Sequence, residues 1–408
     1  MSPAATELQR GRSSAPGDRI AALDILRGLA LFGMLIVHFH DQASGSEGLM
    51  ARLIELFVSE RAYATFAFLF GASFAVQLHR ARERGSPFTA FYLRRLAGLA
   101  LFGVVAHGVF GFPVLLGYAL WGLALLPLER LPIRALIVIA LIATFGRTWY
   151  GLARDAVEAR TLTAEEIANK RAAARERFIA AWDEVETAHH QPTLTAAIPL
   201  RMKHMAWFHR QPFFLFYGAE LSLFLWGLLA VRIGVLESPR RHGRLIAAAA
   251  AIGVMGWAAA EWLSPLIPQF EPLWLSGTLQ RLPFSSWLMF FYVCVTLLLL
   301  AHVPRAARWL GWFAWPGRAA LTCYFIQIVL IDLAVSRYGF GLGAFPAWVV
   351  IPGSVATFVA LIAASRWWFA RYRFGPLEWI WRSMTYGRLA PFRRSQPHES
   401  VAAEGFPS

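Results

Sequence analysis

Charged residues are scarce in this sequence. They make up 16 % of its 408 residues, against ~25 % in soluble domains, and acids are scarcer than bases, 25 Asp and Glu against 39 Lys and Arg. Cysteine is nearly absent: Cys294 and Cys323, both inside apolar runs, leave neither a disulfide framework nor a metal-type cysteine spacing. There is no zinc or EF-hand pattern, no Gly-rich phosphate loop following a strand and no internal repeat, so no metal site is expected. Basic residues fall between hydrophobic runs and form no patch interleaved with aromatics, which argues against nucleic acid as a partner despite a net charge of +14. Residues 1–18 lack a hydrophobic core and no small-residue cleavage site follows the first apolar run, so that run reads as a retained anchor and not a signal peptide.

Apolar sequence fills the space that charge leaves. Hydrophobic residues reach 57 %, with 17 Trp and 32 Phe, and the runs recur from residue 20 to residue 370. A bilayer-crossing helix needs ~20 mostly apolar residues, and ten segments meet that length: about 20–40, 57–78, 93–111, 112–128, 132–150, 212–231, 244–264, 282–302, 319–337 and 347–368. The expected fold is all-α, a polytopic integral membrane helical bundle of about ten transmembrane helices. Spans three and four are nearly fused at Gly111 and Pro113 and predict a tight hairpin. One domain covers 19–388, between a disordered N-terminus (1–18) and a disordered tail (389–408). Within it, 151–211 is polar with a 3.6-residue period and predicts an insertion of one or two extracytoplasmic helices.

Orientation follows from arginine. With the N-terminus inside, the cytoplasmic segments carry 24 Arg and the short outer ones only Arg52, Arg281 and Arg337. The positive-inside rule then puts both termini in the cytoplasm.

Charges inside spans are costly and tend to face a cavity or the bundle interior. In LDILRGLALFGMLIVH of the first span, Asp24 and Arg27 are three apart and can pair. Arg27 and His38 are eleven apart, so ~100° per residue returns them to one face at two depths. His38 has the chemistry of a general base near neutral pH. His107, Glu220, Glu261 and Asp332 fall in outer halves of other spans; which carboxylate supports a histidine is open from spacing. Arg94, Arg95 and Arg318 enter spans from the cytoplasmic side and, with Arg27, could grip phosphate bidentately.

Several motifs resemble the YeiB-like family of bacterial membrane proteins, whose C-terminal part is a domain of unknown function. They are LDILRGLALFGMLIVH (23–38), ERAYATFAFLFG (60–71), LFLWGLLAVRIGVL (223–236), WPGRAALTCYFIQIVLIDLAVSRYGFGL (315–342) and FGPLEWIWRSMTYG (374–387). That family is similar in fold to transmembrane acyltransferases of the OafA type and of the heparan-alpha-glucosaminide N-acetyltransferase type. In the OafA type, an Arg followed after ten residues by a His in the first span is the hallmark associated with activity, and Arg27 and His38 reproduce it. One departure is GFPVLLGYAL (111–120): Phe112 and Pro113 stand where YeiB-like chains commonly carry a Gly-Asp pair before Tyr-Ala-Leu.

The resemblance implies an acyltransferase of the bacterial cytoplasmic (inner) membrane, moving an acyl group from acyl-CoA to a hydroxyl or amine of a glycan or lipid-linked acceptor. Membrane lipids are its other expected partners, with oligomeric state open. Arg27, Arg94, Arg95 and Arg318 would hold the donor, and His38 would be the base, with His107 and Glu220 in support. The rival expectations are a transporter or flippase using the same polar residues, and, last, a non-catalytic scaffold.

Overall fold

A computed structural model describes residues 16–44, 48–210, 219–263 and 287–393. The outer end of the sixth expected span, the start of the eighth, Arg281, and most of the two expected disordered termini lie outside the described residues.

The structure is about 83 % helical with almost no strand. In chain order the helices are α1 (Pro16–Asp41), α2 (Leu49–Phe57), α3 (Ser59–Glu83), α4 (Phe88–Phe110), α5 (Val114–Gly122), α6 (Leu125–Leu128), α7 (Ile133–Thr144), α8 (Gly146–Thr161), α9 (Ala164–His189), α10 (Leu194–Arg210), α11 (Ala219–Ile233), α12 (Gly243–Leu263), α13 (Leu288–His302), α14 (Pro304–Leu310), α15 (Ala314–Arg318), α16 (Ala320–Val335), α17 (Val350–Arg371) and α18 (Pro376–Tyr386). The described strands, β1 (Ala43–Ser44) and β2 (Phe345–Pro346), pair in parallel and tie the C-terminal end of α1 to the approach of α17.

Each of the ten apolar runs contains helix in the described residues, but the run at 112–128 is split into α5 and α6, of nine and four residues. Four helices are long and apolar enough to cross a bilayer: α1 from Ala21, α4, α12, and α17 with its lead-in. The count becomes six if two bent pairs each form one span, α7 with α8 at 50° and α14–α15 with α16 at 78°. These breaks were not foreseen. The chain is therefore a membrane protein by the number and apolarity of its helices.

α1 is the central element, with 72 % of its span buried against 17–28 % for α4, α12 and α17. Glycines allow this packing. A Cβ at Gly71 would sit 1.8 Å from the Phe224 carbonyl oxygen and one at Gly227 1.9 Å from that of Phe68, so α3 and α11 cross backbone to backbone. α1 and α15 do likewise: Gly28 faces the Phe313 carbonyl and Gly317 that of Asp24. In lipid, where apolar surface alone cannot drive helices together, such close approach lets dispersion do so. The second contact also brings Arg27, within α1, and Arg318, at the end of α15, to one cavity.

The expected hairpin is present. Gly111 adopts φ +85°, a conformation that suits glycine, and its N–H bonds to the His107 carbonyl at 2.9 Å while Phe112 N–H reaches Ala106 at 3.0 Å. In the polar stretch 151–211, α9 and α10 form two helices, and α8 follows α7 past the bend at Phe145 and runs into the stretch as far as Thr161. Thr163 and Glu166 close a capping box at the start of α9. At the C-terminal end the chain stays packed as far as Phe392, whose ring contacts those of Trp368, Tyr372 and Trp379.

Candidate functional site: an arginine-rimmed cavity in the bundle

A cavity of about 220 Å³ opens between α1, α3, α4, α5, α15, α16 and α18. Arg27, Arg95, Arg318, Ser73 and Glu378 supply its polar lining, and Met34, Phe66, Leu99, Tyr118 and Tyr324 are among its apolar and aromatic walls. Three of the four arginines picked out in the sequence meet here. The fourth, Arg94, is exposed and absent from the lining; neighbouring helical residues point ~100° apart, so α4 can turn only one of the pair inward.

Each cation is held differently. Arg27 donates to Asp24 Oδ1 and to Ser73 Oγ, both at 2.6 Å, confirming the intrahelical pair that the spacing allows. Arg95 lies 3.7 Å over the Trp381 ring, while Trp381 Nε1 donates to the Arg95 carbonyl at 2.7 Å. Arg318 lies over Phe369 at 4.3 Å. Stacking on aromatic faces positions the Arg95 and Arg318 guanidinium groups at the rim of the cavity. Glu378 is engaged otherwise: its carboxylate accepts from the N–H of Leu321 (2.7 Å) and Thr322 (3.1 Å) and from Thr322 Oγ1 (2.5 Å), capping α16. Both carboxylates near the rim are thus committed, Asp24 to Arg27 and Glu378 to the start of α16.

His38 lies just beyond this cavity, not in its lining. It is 1 % exposed and packs against Phe112 at 4.7 Å and Tyr324 at 6.1 Å between ring centres. Neither ring nitrogen of His38 has a hydrogen-bond partner among the described residues, nor has the Tyr324 hydroxyl. Phe112 belongs to the segment where the family resemblance implies an acid, and it presents an apolar face to the histidine.

His107 is placed elsewhere. Its Nε2 faces His204 Nδ1 at 3.0 Å and its Nδ1 faces His209 Nε2 at 3.3 Å, so it docks α10 onto α4. The two contacts use opposite ring nitrogens, and no three ligands converge on a metal position among the described residues. Glu220 opens α11 half-buried and bonds neither His38 nor His107.

Asp332 joins another network that the sequence did not announce. Arg201, fully buried on α10, donates to Asp332 Oδ1 at 2.5 Å, and Tyr338 donates to Oδ2 at 2.5 Å. His189 Nδ1 is 2.8 Å from Ser336 Oγ and 3.6 Å from Asp332. Burial, with the Arg201 cation second, pushes the His189 pKa down; burial also lowers His204, and brings His209 to about 4 with help from His204. These histidines sit in a polar stretch where histidine is ordinary, and their partners are distant in sequence, so no periodicity could single them out.

Comparison with known proteins fits this architecture. Residues 19–174 match the family described as heparan-alpha-glucosaminide N-acetyltransferase, catalytic, and residues 230–388 match protein of unknown function (DUF418). The cavity draws Arg27 and Arg95 from the first match and Arg318 and Glu378 from the second. Together these matches fit a membrane protein similar to the transmembrane acyltransferase-like superfamily. Within that class the chain fits the YeiB-like family. Relatives include the uncharacterized protein YxaH of Bacillus subtilis, 28 % identical with 92 % of this chain and 96 % of the relative covered. Another is an uncharacterized 39.9 kDa protein from the amylase 3′ region of Bacillus acidopullulyticus, 26 % identical over the same shares. No solved structure matches the chain.

Proposed function

We propose that this protein is an acyltransferase of the bacterial cytoplasmic (inner) membrane, with ten spans and both termini in the cytoplasm. It takes an acyl group from cytoplasmic acyl-CoA and places it on a hydroxyl or amine of an extracytoplasmic or lipid-linked acceptor. The observation that carries this reading is one cavity with arginines on its rim and, at its Tyr324 end, a buried histidine with both nitrogens unengaged. Arg95 and Arg318, with Arg27 sharing Asp24, receive the donor phosphates. At about 220 Å³ the cavity is smaller than a typical ligand pocket of ~300–1,000 Å³, which suits the carrier arm and thioester and leaves the nucleotide at the mouth. His38 takes the proton of the acceptor as its oxygen or nitrogen attacks the thioester carbonyl, and the departing thiolate is protonated in turn. Reaching the acceptor requires Tyr324 or Phe112 to shift, since they separate His38 from open space. His107 and Glu220 support the fold around the outer half of the site and do not touch this cavity.

Thermal unfolding of the purified chain with coenzyme A and acetyl-CoA tests the donor assignment. A ligand that binds only the folded state adds ~2.7 kcal/mol at a hundredfold excess over its dissociation constant. Stabilisation is expected, reduced in Arg95→Ala and Arg318→Ala and unchanged in Arg94→Ala. Absence of stabilisation by every acyl-CoA, in monodisperse protein, would favour a transporter using the same cavity.

A further inference from the structure

A second crevice, of about 540 Å³, lies away from the arginine-rimmed cavity and is lined by Trp312, Val359, Ile362, Ala363, Arg366 and Trp367. Five of these residues come from α17 at offsets of 0, 3, 4, 7 and 8, a single helical stripe. Trp312, in the short turn between α14 and α15, supplies the facing wall. Val359 is 59 % exposed, Trp367 55 % and Trp312 44 %, so the crevice faces outward on a helix long and apolar enough to cross a bilayer. Its occupant in a membrane is therefore a lipid.

The crevice is polar at one end only. Its apolar part covers about the first turn of the stripe, and the stripe then reaches Arg366, whose guanidinium lies 5.3 Å from the Trp312 ring centre; Arg371 follows, 4.5 Å over Trp367. By the arginine distribution this is the cytoplasmic end of α17. Val359 and Arg366 are seven residues apart, ~10 Å along the axis, an apolar-to-cationic order that matches an acyl chain running into its phosphate. Two guanidinium groups within about two turns, with no carboxylate ion-paired to either among the described residues, favour a headgroup of net negative charge over one that carries its own amine. Stacking on tryptophan holds Arg366 at the level where interfacial indoles sit.

We propose that this crevice holds an anionic phospholipid of the cytoplasmic leaflet, with its phosphate on Arg366 and one acyl chain along Val359, Ile362 and Ala363. Basic pockets between helices on the cytoplasmic side suit such headgroups. The neighbour of Trp312, Phe313, places its carbonyl against Gly28, next to Arg27, so the wall of the lipid site is braced on the helix that carries the hallmark pair. Lipid binding here does not depend on the acyl-transfer reading.

Native mass spectrometry of the full chain with equimolar dioleoyl phosphatidylglycerol and dioleoyl phosphatidylethanolamine tests it. Phosphatidylglycerol should be retained preferentially, and Arg366→Ala should lower its retention about fivefold, the effect of one surface cation on an anionic lipid. Val359→Trp, which fills the apolar half and leaves every charge, should lower it too. Arg240→Ala, at an arginine bonded to the Ala301 carbonyl away from the crevice, should leave it unchanged. Equal retention of the two lipids, wild-type retention in Arg366→Ala, or an equal loss in Arg240→Ala would overturn the assignment.

Discussion

Burying an imidazole without a hydrogen bond costs stability that a structural residue has no reason to incur, because an unsatisfied buried polar group loses its hydration for nothing. His38 is in that position, between Phe112 and Tyr324. Replacing it with Ala should leave the protein folded and donor binding intact while lowering acyl transfer ~100- to 10,000-fold, the usual contribution of a general base. His107→Ala should instead loosen α10 and reduce turnover less. A larger loss of turnover at His107, measured by release of the coenzyme A thiol, would move the base to the other histidine. What the sequence made legible at this scale was local. Asp24 and Arg27 pair because they are one turn apart, and Arg94 and Arg95 could not be ranked because adjacent residues look equivalent until the helix is oriented. The partner of Asp332 could not be read from spacing because Arg201 is 131 residues away.

At the scale of elements, the apolar runs located helices but not span lengths: four helices, or six with the bent pairs, are long and apolar enough to cross a bilayer, and the expected span at 112–128 is the nine-residue α5 followed by the four-residue α6. The bends at Phe145 and before Ala320, and the short α2, were not legible: apolar composition continues through a bend, and nine residues are too few to establish a run. The docking of α9 and α10 was equally hidden, and it yields a pH dependence. Folded-state pKa values of His189, His204 and His209 are depressed, so below the unfolded value of ~6.5 the undocked form binds more protons than the docked one. The docked form is thus fully favoured above ~6.5 and loses that advantage as pH falls towards the folded values, about 4 for His209. Hydrogen exchange in residues 189–209, corrected for intrinsic rates, should rise between pH 7 and pH 5. Arg201→Met should produce the same rise at pH 7, because stranding a buried Asp332 costs ~3–5 kcal/mol. Protection unchanged in both cases would contradict the docking role.

For the molecule as a whole, composition conveyed the membrane class, while the arginine bias yields an orientation that a topology experiment must test. A reporter fused after Ser408 should be active in the cytoplasm, and one inserted in the turn at Leu162 and Thr163, between α8 and α9, should be active outside. A cytoplasmic signal at the second site would invert the donor side. The central claim, transfer of an acyl group through the Arg27 to His38 region of the bundle, is tested most directly by mass spectrometry of surface glycans and membrane lipids. Cells lacking the gene would be compared after complementation with the wild-type or the His38→Ala chain. The account predicts one acyl modification that disappears without the gene, returns with the wild-type chain and does not return with His38→Ala. An unchanged profile on deletion, or full restoration by His38→Ala, would contradict it.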